Sequence, residues 1–365
     1  MSFVGFRTFL LAGVGITAST LFGCGDNNHT HATDASIDAP HTPDAPVDAG
    51  PLPCAYTEMH DATNDVYATS GYMIEATGLS YTGSPLVICG AINNGHYNTT
   101  QGSIDVDNYG INVATGADVF VTLTGAAQNI SSVGVYVYDP VAMVTVGKGF
   151  FIVDHGAWAG HLPAGNYEFS VEAYDNQDIA APVPYRVEFA PDSPTTRCPQ
   201  VTAASSYTES HDGASNNGND MIDIDYTMSP ARSLTASATD TPESTGLLLT
   251  PGTNARVSGS AGTHTVVGSY LDHDTYVITT DSTTDQLSVR LDWASTTTDL
   301  DFNVFRAGET IPIGIARTQA LAQPEYTTFA VAPGTTYWVW VGAASTSTSP
   351  PAAYDISLCP QKFTP

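Results

Sequence analysis

Positive charge is what this sequence has least of. Lys and Arg together number 10 against 37 Asp and Glu, and the formal net charge is -27. The lysines are Lys148 and Lys362. Such a surface repels phosphates, which excludes nucleic acid as a partner and favours cations, calcium above all. Charge of either sign is thin, at 13% of residues. Catalytic signatures are missing too. There is no HExxH, no GxSxG and no SxxK, so the usual metalloprotease, hydrolase and acyl-enzyme frameworks are not announced. No CxxC spacing occurs among the 5 cysteines, which leaves a zinc site poorly supported. Beyond the first residues, no stretch carries a convincing helical period.

The N-terminus, MSFVGFRTFLLAGVGITASTLFGCG, has one basic residue, Arg7, and then an apolar run from Phe9 to Phe22. That length suits a signal-peptide h-region and is short for a membrane span. The run ends in Leu21-Phe22-Gly23-Cys24, which resembles the lipobox of bacterial lipoproteins. The alternative is a plain secretory signal followed by a chance cysteine. The lipobox resemblance implies cleavage after residue 23 and acylation of Cys24, so that a lipid bilayer becomes a partner. Two or three acyl chains anchor stably where one does not. Gly25 after the cysteine implies the outer membrane.

Residues 24–53 form a run of Asp, Ala and Pro with nothing to bury. Their composition predicts a disordered, self-repelling tether. His29, His31 and His41 sit in it beside aspartates. Composition favours a solvated spacer over a metal site.

The rest of the chain is written twice. Tyr56 to Asp61 reads YTEMHD, and Tyr207 to Asp212 reads YTESHD. Asp105-Val106-Asp107-Asn108-Tyr109 returns as Asp272-His273-Asp274-Thr275-Tyr276. LPAGNYEFSVEAY from Leu162 answers to VAPGTTYWVWVGA from Val331, and PVPYRVEF from Pro182 to PAAYDISL from Pro351. Cys198-Pro199 and Cys359-Pro360 are read as closing each unit. Landmarks in one order at similar separations predict two domains, 54–197 and 198–365. Within them, Tyr167, Phe169, Val171 and Ala173 alternate with Glu168, Ser170 and Glu172, and Leu287 to Trp293 alternates as cleanly. Period two predicts half-buried antiparallel strands, with the Glu168 face in solvent. The expected fold class is all-β: two tandem antiparallel β-sandwiches, jelly-roll-like.

The second copy runs Asp272 to Tyr276, Leu287 to Trp293, Asp299-Leu-Asp-Phe302, Ala332 to Tyr337, then Ala353 to Ser357. That order resembles the bacterial pre-peptidase C-terminal domain, a small β-sandwich related to the collagen-binding modules of clostridial collagenases. The resemblance covers most of the second copy. The first copy departs from it, with Ser131-Ser132-Val133 in place of the Asp-Leu-Asp strand. The resemblance implies calcium ligands at Glu58, Asn64, Asp65, Asp105 and Asp107, and at Glu209, Asn219, Asp220, Asp272 and Asp274. The competing reading makes these residues turn and cap chemistry.

Four cysteines remain after Cys24, and an even number in an exported chain argues for disulfides. Three pairings are possible. The expected one joins Cys54 to Cys89 and Cys198 to Cys359, so that each bridge stays within one copy. His60 and His211 lie inside the repeated hexapeptide without a nucleophile motif, and read as structural. Trp338 and Trp340 replace Glu168 and Ser170 in the second copy. They offer a platform for a sugar or peptide, or they pack under a neighbouring element.

These features favour a lipid-anchored, extracytoplasmic, non-enzymatic binding or adhesion module, stabilised by calcium, with an extracellular protein or polysaccharide as partner. The alternative is an accessory protein of a secreted peptidase or other hydrolase, which would dock the enzyme or present its substrate. A hydrolase using clustered carboxylates is the least supported reading.

Overall fold

The strands follow the alternation closely. A computed structural model of the chain describes residues 51–59, 74–93, 103–125, 132–141, 144–152, 154–174, 181–203, 206–210, 241–261, 270–309, 312–316, 323–344 and 352–364. The N-terminal apolar run, Cys24, His29, His31, His41, His60 and His211 lie outside them, as do Asn64, Asp65, Asn219 and Asp220. No helix among the described residues is long and apolar enough to cross a membrane.

The first half holds ten strands: β1 (Tyr56–Thr57), β2 (Glu75–Tyr81), β3 (Leu86–Ile92), β4 (Ser103–Val113), β5 (Ala117–Thr124), β6 (Ser132–Asp139), β7 (Val144–Ile152), β8 (His155–Leu162), β9 (Gly165–Tyr174) and β10 (Val183–Pro191). A single turn of helix, α1 (Pro194–Arg197), leads into the second half. There follow β11 (Tyr207–Thr208), β12 (Glu243–Leu249), β13 (Ala255–Ala261), β14 (Tyr270–Thr280), β15 (Gln286–Trp293), β16 (Leu300–Arg306), β17 (Pro312–Ala316), β18 (Glu325–Ala330), β19 (Thr336–Ala344) and β20 (Ala352–Gln361).

The two-layer pairing of β1 to β10 recurs in β11 to β20, except that β7 also pairs with β8 through Phe151↔Gly156 and Ile152↔His155, a pair without a β17–β18 counterpart among the described residues. In the first half, β2-β4-β9-β6-β7 forms one layer and β1-β3-β10-β5-β8 the other. In the second half the layers are β12-β14-β19-β16-β17 and β11-β13-β20-β15-β18. Even the irregularities repeat. The β2–β4 register shifts between Ala76 and Leu79, and the β12–β14 register shifts between Ser244 and Leu247.

Four pairs depart from the expected antiparallel order. β1–β3, β2–β4, β11–β13 and β12–β14 run parallel. The cause is topological. β3 lies in the opposite layer from β2 and β4, so the chain crosses the sandwich and returns in its original direction.

Each half fills its interior with the inward-facing residues. Tyr167, Phe169, Val171 and Ala173 join one cluster with Val121, Leu123, Val187 and Phe189. Leu287, Val289 and Leu291 join the other with Val339, Val341, Ile356 and Leu358. The halves then meet edge to edge. β8 pairs antiparallel with β18 through Ala159↔Thr328 and Trp158↔Phe329. Residues Pro51–Pro365 accordingly form one compact unit. Ala159, Tyr326, Cys198 and Cys359 pack at the seam with Phe120 against them, and the Arg197 guanidinium lies 3.7 Å over the Phe120 ring.

Three expectations need correction. Glu168, Ser170 and Glu172 are buried, at 5, 7 and 3% exposure, so that face is not in solvent. Alternation finds the face of a strand but cannot tell whether something covers it. Ser288 and Arg290 on β15 are buried likewise, with Ser288 Oγ 2.7 Å from Thr328 Oγ1 of β18. The two Cys-Pro pairs are not equivalent. Val119 pairs with Pro191 where Leu287 pairs with Pro360, so Cys359 corresponds to Ala190, and Cys198 lies beyond the repeat's last strand. The disulfides nonetheless form as expected, Cys54–Cys89 with Cα atoms 5.8 Å apart and Cys198–Cys359 at 5.5 Å.

Candidate functional site: a carboxylate and tyrosine cluster built twice

The repeated hexapeptide begins with a two-residue strand, and its described part ends at the fourth residue, Met59 or Ser210. Its backbone is tied to the neighbouring strand, with Glu58 N–H donating to Cys89 O and Glu209 N–H to Ser258 O, both at 2.9 Å. The side chains then reach inward. Glu58 Oε2 accepts from Ala91 N–H at 3.0 Å, and Glu209 Oε2 accepts from Ser260 N–H at 2.9 Å. The tyrosine that opens each hexapeptide donates to a second glutamate, Tyr56 to Glu75 and Tyr207 to Glu243. That glutamate also accepts the backbone N–H of the fourth hexapeptide residue, Met59 or Ser210, at 2.8 Å in each half. The bond uses backbone, so the fourth side chain is free to differ. Met59 projects into solvent, 67% exposed.

Strand β4 carries Asp107 and Tyr109 on its inward face, and β14 carries Asp274 and Tyr276. From the opposite layer, Tyr185 of β10 donates to Asp107 Oδ2 at 2.7 Å, and Tyr354 of β20 donates to Asp274 Oδ2 at 2.6 Å. The tyrosine hydroxyls meet in pairs, Tyr109 with Tyr185 at 2.5 Å and Tyr276 with Tyr354 at 2.6 Å. Asp105 Oδ2 accepts from Asn93 N–H at 2.6 Å. The two layers are thus stitched at one end by a polar cluster inside an otherwise apolar sandwich.

Electrostatics in the first half are unfavourable to full ionisation. Asp107 is completely buried. Burial pushes its carboxyl well above the ordinary range, the Asp105 charge adds to this, and a hydrogen bond with the Glu58 carboxyl and the Glu58 charge add more, against a smaller opposite effect of the Tyr185 hydroxyl. Tyr109 and Tyr185 are held protonated far above their usual range, first by burial and then by the Asp107 charge. Burial and then the Asp274 charge do the same to Tyr276 and Tyr354.

Of the residues the sequence singled out, Glu58, Asp105 and Asp107 converge in the first half. Glu209 and Asp274 take the corresponding places in the second. Asp272 lies on β14, with its side chain outside the described set. Among the described residues, no three His, Cys, Asp or Glu side chains close into a metal-holding group. The preferred reading of the tryptophan pair is packing under a neighbouring element. Trp340 is fully buried, edge-on to His273 with ring centroids 5.0 Å apart, and Trp338 is half-buried. Sequence reasoning missed Glu75, Glu243 and the four buried tyrosines. Their signal was repetition: Tyr109 and Tyr276 end one duplicated landmark, and Tyr185 and Tyr354 occupy the same place in another.

No protein-family model matches this chain, and neither does any curated protein. Three solved structures are similar over about a third of its length. The pre-peptidase C-terminal domain of collagenase from Bacillus anthracis is 18% identical, covers 32% of this chain and 97% of its own, and has a TM-score of 0.25. The periplasmic g-type lysozyme inhibitor PliG of Aeromonas hydrophila is 15% identical over 33% of this chain and 96% of its own, at 0.22. Its Salmonella Typhimurium namesake is 13% identical over 33% and 99%, at 0.21. At such TM-scores the likeness assigns neither family nor function.

Proposed function

We propose that this chain is a lipid-anchored, extracytoplasmic, non-enzymatic binding protein. Its two sandwiches, residues 54–197 and 198–365, act as pre-peptidase-like modules rigidified by calcium, and the tether from Cys24 holds them clear of the bilayer. The observation that carries the reading is the crowding of carboxyl groups around the fully buried Asp107, where Asp105 and Glu58 both raise its pKa. Hard oxygen donors of this kind suit calcium, which would supply the positive charge that the cluster lacks. Glu58, Asp105 and Asp107 do not close into a metal-holding group by themselves, so they would hold it in the first half only together with Asn64 and Asp65. Glu209, Asp272 and Asp274 would do so in the second, with Asn219 and Asp220. Carboxylates turned into a sandwich interior rigidify a scaffold rather than meet a substrate. The two disulfides accord with an oxidising compartment.

The test is thermal unfolding in excess calcium and then in EDTA. A cation bound only by the native state raises the midpoint by mass action. The reading expects a large shift that shrinks in Asp107→Asn and again when Asp274→Asn is added. Superimposable melts would remove calcium from the account and leave the cluster as protonated structural polar chemistry.

A further inference from the structure

The seam between the halves has a near two-fold relation, and its two flanks are filled differently. Register fixes the equivalences. Tyr185 and Tyr354 play the same part, six residues before Pro191 and Pro360. Val119 pairs with Pro191 and Gly160, and Leu287 with Pro360 and Phe329. Ala159 therefore corresponds to Thr328, and these two residues pair with each other across the seam. A contact between equivalent positions is isologous, and such a contact generates two equivalent flanks.

One flank is plugged. His155 opens β8, and the tail beyond β20 lays Phe363 flat on it, with ring centroids 3.8 Å apart and planes 7° from parallel. Asp285 fixes the tail, pairing with Lys362 and accepting from Phe363 N–H at 2.6 Å. On the other flank, counting at the same offset past the paired strands puts Pro324 and Pro194 at the places of His155 and Phe363. Two prolines stand where two stacked rings stand opposite. A cleft of about 440 Å³ opens there, with both prolines in its wall.

The cleft's polar groups are unevenly satisfied. The Asp192 side chain is 2% exposed, and its Oδ1 accepts from Arg197 Nε at 2.7 Å. Its Oδ2 is buried with no hydrogen-bond partner. A buried acceptor left in this state is costly, and a ligand that donates to it is favoured. Arg290, in the same wall, gives Nε and Nη2 to Asp292, which leaves Nη1 to donate. Asp118 and His161 pair at 2.9 Å along the rim, and Tyr326 and Pro324 supply apolar faces.

We propose that this cleft binds a neutral sugar ring. The plugged flank shows that a ring fits between the halves at the equivalent place. A pyranose lays its C–H face on proline and tyrosine, and its rim hydroxyls donate to Asp192 Oδ2 while accepting from Arg290. A purely aromatic ring would leave both groups unmet. An anionic ligand is opposed by Asp118, Asp192 and the overall charge of -27. The proposal rests on the binding reading above and names its ligand class and site, which lies apart from the carboxylate cluster.

The experiment uses the full chain on an array of neutral glycans, then calorimetric titration with glucose, galactose, mannose and N-acetylglucosamine. At least one of these should bind. Asp192→Asn should weaken that binding roughly tenfold or more. Pro194→Phe, which rebuilds the opposite flank's plug, should abolish it, and both variants should melt within a few degrees of the wild type. Gln323→Trp, at an exposed rim position, is the second blocking variant should Pro194→Phe misfold. Absence of any sugar binding overturns the proposal, and so does binding that survives Asp192→Asn and a folded blocking variant. A calcium-dependent melt in a protein that binds no sugar would remove this site alone and leave calcium stabilisation standing.

Discussion

The hydroxyls of Tyr109 and Tyr185 lie 2.5 Å apart, and Tyr185 donates a hydrogen bond to Asp107 Oδ2 at 2.7 Å. Tyr185 has one O–H and directs it at Asp107 Oδ2, so Tyr109 donates to Tyr185. The second half repeats the relay through Tyr276, Tyr354 and Asp274. Each relay crosses from one layer to the other, so it stabilises the closed sandwich rather than either sheet alone.

Tyr185→Phe keeps the ring and removes the relay's central hydroxyl. Asp107 Oδ2 and the Tyr109 hydroxyl then both lose a partner in a dry interior. The expected cost is about 1–3 kcal/mol, read as a lower midpoint in denaturant with an unchanged slope. Tyr354→Phe should cost a similar amount. The two effects should add, since the clusters share no residues. A Tyr185→Phe protein as stable as the wild type would show that the relay contributes nothing.

The raised Asp107 carboxyl sets a pH dependence with a definite sign. Above the ordinary aspartate pKa, the unfolded chain has released this proton while the native state still holds it. The native state therefore binds more protons across that window, and stability falls as pH rises through it. In EDTA the melting temperature should decline from about pH 4 upward, and Asp107→Asn should flatten that decline. Under the calcium proposal the cation displaces the proton, so its stabilisation should grow with pH over the same range. A rising melting temperature across this window, lost in Asp107→Asn, would contradict the assignment.

Gly90 on β3 and Gly259 on β13 are required by the tyrosines beneath them. A Cβ at Gly90 would stand 2.4 Å from the Tyr185 hydroxyl, and one at Gly259 would stand 2.4 Å from both the Tyr276 and Tyr354 hydroxyls. Nothing flexible lies in the way, because each hydroxyl is already held in its relay. Gly90→Ala should destabilise by about 1–3 kcal/mol, and Gly90→Ala combined with Tyr185→Phe by less than the sum of the two. Simple additivity would place the cost elsewhere.

Much of this was legible because the chain repeats itself. Period-two alternation located β9 and β15, the duplicated landmarks aligned the halves, and cysteine parity with position anticipated both disulfides. The parallel edge pairs were not legible, since alternation gives a strand's face but not the layer it joins. Burial of Glu168, Ser170 and Glu172 was misjudged for the same reason: polarity was taken for exposure. The carboxylates were singled out for their charge, whereas the tyrosines that hold them were passed over as ordinary strand residues. The seam left no mark in the sequence, because the match of Ala159 to Thr328 becomes visible only through the ladder registers.

The two disulfides should differ in weight. Cys198–Cys359 spans 161 residues and Cys54–Cys89 spans 35. Loop-closure entropy alone makes the longer bridge worth about 1.4 kcal/mol more. Cys198 and Cys359 are also buried in the seam with Tyr326 and Ala159. The double variant Cys198→Ser, Cys359→Ser should therefore lose more stability than Cys54→Ser, Cys89→Ser when both are compared by denaturant unfolding. Equal losses, or a larger loss for the shorter bridge, would mean that loop entropy does not control either.

The two lysines should titrate far apart. Lys148 on β7 lies over the Tyr136 and Phe150 rings, at 4.7 and 4.4 Å from their centroids. Burial lowers its pKa to about 8, against a smaller opposing effect of the Glu172 charge. Lys362 sits on the Asp285 carboxylate, whose hydrogen bond raises its pKa above the ordinary value. Reductive methylation with labelled formaldehyde gives one resonance for each lysine, assigned by Lys148→Arg. A pH titration should then move the Lys148 signal near pH 8 while the Lys362 signal stays fixed past pH 10. Glu172→Gln should push the Lys148 midpoint lower, since it removes the one charge that favours the ammonium form. A Lys148 midpoint above 10 would mean that water reaches the amine and that the aromatic cover is open.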